Sequence, residues 1–253
     1  MLEFQHVWAG YGGEDILKDI CLSIPSGSLT TLVGPNGCGK TTLLRAAARQ
    51  LVPRAGTVLL DGRSLNAYGR AAFARRAAFM PQVRSIPAIT AGALVAHGRF
   101  PHLGFSRRMR PTDREAVRRA MEDTGTVQWA DRDLRQLSGG QRQRIYIAMA
   151  LAQDADIIFF DEPTTYLDPG RQFELLELIA ALNRRGKTAV MVLHDLPYAL
   201  RYSGQIILME AGRIVSSGTP EALLQSGVLD RVFGIRVRRA PDGACYLLPR
   251  EAG

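Results

Sequence analysis

Lysine is almost missing from this chain. Of its 32 basic residues only Lys18, Lys40 and Lys187 are lysines, and the other 29 are arginines. A sequence that favours arginine so heavily keeps lysine where a compact point charge suits the site better than a planar fork. Cysteine is as sparse. Cys21, Cys38 and Cys245 are odd in number and far apart, with no C-x-x-C, so neither a disulfide framework nor a zinc motif is indicated. No apolar run approaches the roughly 20 residues that span a bilayer. Residues 1–6 lack the basic start and apolar stretch of a signal peptide, so a cytoplasmic location is expected. Internal repeats, low-complexity tracts and runs of five basic residues are absent, so no nucleic-acid arm is marked.

What remains is ordinary for a soluble globular chain. The 253 residues, 46% hydrophobic and 22% charged, fit one large domain or a core with a small subdomain. The net charge of +8 suits nucleic acid, anionic lipid or polyanionic nucleotides, or simply reflects an arginine-rich composition.

Against that background one stretch stands out: Gly34-Pro35-Asn36-Gly37-Cys38-Gly39-Lys40-Thr41, a complete G-x-x-x-x-G-K-[ST] phosphate-binding loop. The apolar, β-branched residues 28–33 before it read as a buried strand, and 42–48 after it as a helix. In that order the glycines let the backbone approach phosphate oxygens, and the helix N-terminus favours the anion. Lys40 is expected to reach the β/γ-phosphates, and the Thr41 hydroxyl to ligate Mg²⁺. Cys38, beside Lys40 and a helix start, is expected to have a lowered thiol pKa, or else only fills the loop.

Taken in order, Leu2, Phe4 and His6 alternate with Glu3 and Gln5, which predicts a half-exposed strand. A loop at 9–13 then leads to a second strand at 16–24. Tyr11 in that loop either stacks on a base or anchors the loop. The first helix is expected to end over 51–55, before a strand and turn at 57–62, a short helix near 70–75 and a small strand at 77–80. From 84 to about 153 the pattern is mostly helical, with Thr90 as a cap and Thr112–Glu115 as a capping box above Val117, Ala120 and Met121. Leu137-Ser138-Gly139-Gly140-Gln141 opens a long helix with Ile145, Met149 and Ala152 inward. Its start is a second possible anion site, although a plain N-cap explains these five residues equally well.

Ile157-Ile158-Phe159-Phe160 reads as a buried parallel strand ending in Asp161-Glu162, where α/β sheets bind ligands. Asp161 can hold the Mg²⁺ shell and Glu162 can polarise an attacking water. A helix is predicted over 170–185 and a strand over 188–193, whose tip carries His194, favoured as functional. A hairpin about Ala211-Gly212, a helix from Thr219-Pro220 and a small terminal hairpin turning at Pro241-Asp242-Gly243 complete the chain.

Together these motifs resemble the ATP-binding subunit of an ABC (ATP-binding cassette) transporter over nearly the whole chain. The Walker A loop is 34–42, the L-S-G-G-Q signature is 137–141 and Walker B is 157–161. The implied fold class is α/β, a P-loop NTPase (ABC ATPase) core with an antiparallel β subdomain and an inserted α-helical subdomain. Residues 1–253 form a single cassette, with 1–83 and 154–253 as the RecA-like core and 84–153 as the helical signature subdomain.

The resemblance also assigns roles. Gly34, Pro35, Asn36, Gly37, Cys38, Gly39, Lys40, Thr41 and Thr42 would bind ATP, with Tyr11 on adenine. Gln82 would touch Mg²⁺ and the attacking water, joining Thr41 and Asp161 at the metal. Ser138, Gly139, Gly140 and Gln141 would bind the γ-phosphate of ATP held by a second copy. Glu162 would be the catalytic carboxylate, Asp168 the D-loop aspartate and His194 the γ-phosphate sensor. The implied cofactors are ATP and Mg²⁺. The implied partners are a second copy in a head-to-tail, ATP-sandwiched homodimer, two membrane permease subunits and, indirectly, a periplasmic or extracytoplasmic binding protein, with no nucleic acid. The implied location of this chain is peripheral, on the cytoplasmic face of the inner (cell) membrane. The departures are Cys38 and Thr41, where serine is common. His97-Gly98-Arg99-Phe100-Pro101-His102 looks like importer ATPases for iron–siderophores, haem and vitamin B12, and 147–153 with 161–168 looks most like the iron(III)-siderophore branch. Haem or cobalamin import is the alternative. The alternative of another class is a soluble, non-transport ABC ATPase acting on ribosome or DNA; such proteins usually carry two cassettes or a long coiled-coil insertion, whereas this sequence shows one cassette and no heptad array.

Overall fold

A computed structural model describes residues 1–80, 86–104, 108–165, 167–241 and 243–249. The chain divides into two compact units, Met1–Ala67 with Thr188–Gly253, and Tyr68–Lys187. The first unit opens with β1 (Leu2–Tyr11), β2 (Glu14–Ile24), β3 (Leu29–Val33), α1 (Lys40–Ala47), β4 (Ala55–Leu60) and β5 (Arg63–Ser64). The second holds α2 (Arg70–Ala74), β6 (Ala77–Met80), α3 (Ala91–His97), α4 (Pro111–Asp123), α5 (Gly139–Ala152), β7 (Ile157–Phe160) and α6 (Pro169–Arg184). The chain then returns to the first unit for β8 (Thr188–Val192), α7 (Leu196–Tyr202), β9 (Gln205–Glu210), β10 (Arg213–Gly218), α8 (Pro220–Gln225), α9 (Val228–Phe233), β11 (Ile235–Arg239) and β12 (Cys245–Pro249).

Within the first unit an antiparallel sheet runs in the order β2-β1-β4-β5. A second set runs β10-β9-β3-β8, with β8 and β9 parallel to β3 and β10 antiparallel to β9. Every residue of β3 and β8 is buried, as befits parallel strands covered on both faces. The antiparallel start leading into an α/β core is therefore as the sequence predicts.

Its alternation is not. Leu2 and Phe4 face inward, but His6 does not: it takes φ 50° at a register shift, and Val7 becomes the next buried residue. A β-bulge inserts one residue and moves the rest of the strand to the opposite phase, which strict period-two counting misses. For the same reason β1 continues to Tyr11, and only Gly12 and Gly13 remain as the turn where a loop over 9–13 was expected. The first helix also stops early, at Ala47. Arg49 turns left-handed at φ 57° and the Gln50 N–H donates to the Arg45 carbonyl at 2.8 Å, ending the helix before 51–55.

In the second unit β6 and β7 pair in parallel, and all four residues of β7 are buried. Thr90 caps α3 as expected, its hydroxyl accepting from the Ala93 N–H at 3.3 Å. The capping box of α4 lies two residues earlier than Thr112, with Arg110 as the N-cap. Pro111 takes the first turn and Asp113 reaches back to the Arg110 N–H at 3.0 Å. Ala120 and Met121 are buried there, while Val117 is half-buried.

Beneath α4 lies a buried ion pair. Arg99 is 8% and Asp113 3% exposed. The guanidinium donates to Asp113 Oδ1 from Nε at 3.1 Å and Nη2 at 3.0 Å, and to the Ala152 carbonyl from Nη1 at 2.8 Å. The Arg110 N–H first, and Arg99 next, hold the Asp113 carboxyl below its usual range against the effect of burial. Arg99 thus ties α3, α4 and the end of α5 together, which gives the stretch 97–102 a packing purpose. The hairpin about Ala211-Gly212 and the Thr219-capped helix stand where predicted. The terminal hairpin of β11 and β12 is present, and Asp242 of its turn lies outside the described residues.

Candidate active site

The candidate residues fall into two sets, one on each unit. In the first unit β3 runs into the phosphate loop, and the loop's shape is enforced from behind. Gly34 has φ 151°, and a Cβ there would stand 2.2 Å from the Met209 carbonyl oxygen. Gly37 and Gly39 take φ 78° and 104°. The Gly212 N–H donates to the Cys38 carbonyl at 3.1 Å, pinning the loop to the β9–β10 turn. Gly39 is the N-cap of α1 and makes no side-chain cap, at a helix start of the kind that binds anions.

Lys40, 6% exposed, donates from Nζ to the carbonyls of Gly34 at 2.7 Å and Pro35 at 2.9 Å. Its own loop therefore holds the ammonium over the cradle. Thr42 is buried and Thr41 half-buried, while Asn36 and Gly37 are exposed and Pro35 is half-exposed.

The expectation for Cys38 is corrected here. Its thiol is pushed up rather than down, because burial outweighs the nearby Lys40 charge; the side chain is 4% exposed and Nζ stands 3.9 Å from Sγ. The cysteine fills the loop. Tyr11 is 44% exposed and its hydroxyl accepts from Arg45 Nη1 at 3.3 Å, which angles the ring from α1. His194 is exposed just past β8, where the Leu193 N–H still bonds the Leu32 carbonyl at 3.3 Å.

In the second unit the end of β7 carries the acidic pair. The Asp161 N–H donates to the Met80 carbonyl at 3.1 Å, and the residue is 4% exposed. A carboxylate so deep is tolerated when hydrogen-bonded, paired or ligating a metal. Glu162 takes φ 52°, a left-handed conformation uncommon for non-glycine residues, and its Oε2 accepts from Thr165 Oγ1 at 3.2 Å. Gln143 supports the turn from α5, donating to the Pro163 carbonyl at 2.5 Å, and Gln172 from α6, donating to Thr164 at 3.3 Å and Leu167 at 3.1 Å.

Ser138 is the N-cap of α5, in a capping box closed by Gln141: Ser138 Oγ accepts from the Gln141 N–H at 3.3 Å, and Gln141 Oε1 accepts from the Ser138 N–H at 2.9 Å. Asp168 caps α6 and pairs with Arg171 Nε at 3.0 Å. Arg171 also donates from Nη1 to Ser138 Oγ at 3.3 Å, and the closest atom to a Cβ on Gly140 would be its Nη1, at 2.6 Å. One guanidinium therefore joins the exposed starts of α5 and α6. Gln82 lies outside the described residues.

Thr165, Arg171, Gln143 and Gln172 were not singled out in the sequence. Their contacts run across 3 to 33 positions of chain, at no motif spacing.

The chain is similar in sequence and in shape to known proteins. The family profile described as ABC transporter matches residues 17–165. The chain is 41% identical over 243 residues to the iron(3+)-hydroxamate import ATP-binding protein FhuC of Bacillus subtilis, covering 95% of this chain and 90% of that protein. It is 43% identical over 237 residues to the ferric enterobactin transport ATP-binding protein FepC of Escherichia coli, covering 93% and 88%. A dimeric ATP-binding cassette, MJ0796, in a post-hydrolysis state bound to ADP and Pi, superposes with a TM-score of 0.75 at 28% identity, over 87% of this chain and 99% of that one. With a complete phosphate loop, signature and acidic strand end in the family's order, and relatives matching nearly end to end, the chain belongs to the ABC transporter family and has the fold of its ATP-binding cassette.

Proposed function

We propose that this chain is the ATP-hydrolysing subunit that energises an importer of iron(III)-siderophore complexes. The observation that carries the reading is identity above 40% across nearly the whole chain to two siderophore-import ATP-binding proteins. None of the helices among the described residues is long and apolar enough to cross a membrane. Passage therefore falls to partners: two permease subunits, with this chain bound peripherally on their cytoplasmic side, and a binding protein outside.

In this reading the amides from Gly37 to Thr42 and the Lys40 ammonium hold the β- and γ-phosphates, and Tyr11 stacks on adenine. Thr41 and Asp161 are hard oxygen donors of the kind Mg²⁺ takes, with Gln82 as a third, and the ion supplies charge neutralisation on the phosphates when bound. Glu162, set at an unusual backbone angle, takes a proton from the attacking water, and His194 reads the γ-phosphate. Ser138, Gly139, Gly140 and Gln141 face the nucleotide of a second copy, with Asp168 beside them, so that ATP closes a two-fold homodimer and hydrolysis opens it. Residues 84–153 act as the helical signature subdomain and 1–83 with 154–253 as the core.

Purification of the tagged chain from solubilised membranes tests this directly. A polytopic permease should co-purify, and vesicles holding the complex should take up a ferric siderophore in an ATP-dependent manner. Uptake of haem or cobalamin instead would overturn the substrate, and recovery of ribosomes or DNA without a membrane partner would overturn the importer.

A further inference from the structure

His6, Asp19 and Cys21, none of them given a role above, stand together and exposed on the β1–β2 ribbon. Two bulges bring them there. In β1 the buried positions step from Phe4 to Val7, and in β2 from Leu17 to Ile20, so each strand spends an extra residue outward. The residues that take left-handed angles at these steps are His6, at φ 50°, and Asp19, at φ 56°. Bulges of this kind re-aim side chains.

The resulting geometry is that of a ligand set. His6 Nδ1 lies 2.8 Å from Asp19 Oδ1 and 3.5 Å from Cys21 Sγ. All three ligand atoms fall within 4.8 Å of one another. Around a tetrahedral zinc-type ion, bond lengths of about 2.0–2.3 Å put nitrogen and sulfur about 3.6 Å apart and nitrogen and oxygen about 3.4 Å apart. The first distance is already met, and the second needs an opening of about 0.6 Å, within the reach of exposed side chains. A proton-relay triad is excluded, because such a relay uses both ring nitrogens and here both partners address Nδ1. One positive ion can satisfy the carboxylate and the sulfur at that single nitrogen.

We propose that His6, Asp19 and Cys21 form a surface site for a borderline divalent cation of the Zn²⁺ type, with water in the fourth position. Nitrogen, sulfur and carboxylate oxygen together are the donors such ions select, whereas Mg²⁺ and Ca²⁺ prefer oxygen alone. On binding, the Cys21 thiol releases its proton to solvent and two ligand charges balance the ion. The site is independent of the transport reading. It is invisible to motif spacing, because its ligands come from two strands joined across bulges.

Titration of the full-length, chelator-treated chain with Co²⁺, in the absence of nucleotide, tests the site. One Co²⁺ per chain should bind with a thiolate-to-cobalt charge-transfer band in the near ultraviolet, and Zn²⁺ should abolish the band. Cys21→Ser should remove it and Cys245→Ser should keep it. His6→Asn, which tolerates the left-handed angle and so keeps the fold, should weaken binding by at least about tenfold. Absence of the band in the parent chain, its survival in Cys21→Ser, or unchanged affinity in His6→Asn would each overturn the site and leave an adventitious ion only.

Discussion

Two glycine-rich helix starts in this protein are finished in opposite ways. At α1 the N-cap is Gly39, with no side chain to satisfy the first amides, and the loop before it is locked by backbone contacts. At α5 the N-cap is Ser138, whose hydroxyl and the Gln141 amide close a capping box, and Arg171 lies on the serine. A helix start that no side chain caps is a ready-made anion site. A capped start is self-sufficient and must give up hydrogen bonds to take a phosphate. In the function proposed above, the uncapped start is the one assigned to the chain's own nucleotide and the capped start the one assigned to a second copy's. Two stretches that look alike in sequence thus differ in whether a side chain caps them.

The largest expected effect concerns the acidic end of β7, where chemistry separates from binding. Glu162→Gln keeps a hydrogen-bonding side chain but loses the base. Phosphate release should fall by about 10²–10⁴-fold while ATP binding persists and dimer accumulates. Turnover at the parent rate would remove Glu162 from the reaction. By contrast, Lys40→Ala should lose nucleotide binding itself, read by equilibrium titration.

Next in size is the scaffold that carries the signature helix. Arg99→Leu leaves the Asp113 carboxylate buried without its guanidinium and should cost about 3 kcal/mol in denaturant unfolding. Because the Asp113 carboxyl titrates below its ordinary value when folded, its contribution is present above about pH 4 and is lost as pH falls through the lower folded value. The parent chain should show that acid limb, and Asp113→Asn should flatten it. An unchanged midpoint in Arg99→Leu would contradict the pair's place in the packing.

The glycines test the contrast most directly. Gly34→Ala drives a Cβ against the Met209 carbonyl at 2.2 Å, which only backbone movement relieves, and should destabilise by about 2 kcal/mol or more. Gly139→Ala meets nothing within 4 Å and should be stability-neutral within about 0.5 kcal/mol. Equal effects in thermal melts would mean that the two helix starts are not differently built. The smallest effect is chemical. Cys38, buried and with its thiol pushed up, should alkylate about tenfold more slowly than exposed Cys21, and ATP should slow it further. Labelling of Cys38 as fast as Cys21 would show a loop more open than its packing indicates.

Much of this molecule is legible in the chain alone, for definite reasons. Buried strands such as β3 and β7 announce themselves as short apolar runs, and Thr90 and Thr219 as caps, because those signals act within a few residues. The phosphate loop is legible because its glycines, lysine and threonine must sit at fixed spacing to surround a phosphate. The bulge at His6 was not, since nothing in Phe4-Gln5-His6-Val7 says where period two breaks. Nor was the raised thiol of Cys38: its neighbours in sequence include a lysine, but the burial that outweighs it is supplied by distant chain. The same holds for Arg171 on Ser138, 33 positions away.

By itself the sequence determined the nucleotide chemistry and the order of elements, because both rest on local spacing and on hydrophobic periodicity. Tertiary structure alone decided how deeply Cys38 and Lys40 are buried, which carboxylates are buried, and that His6, Asp19 and Cys21 meet. Those outcomes depend on desolvation, register and cross-strand distance, and these quantities exist only once separate parts of the chain have packed together.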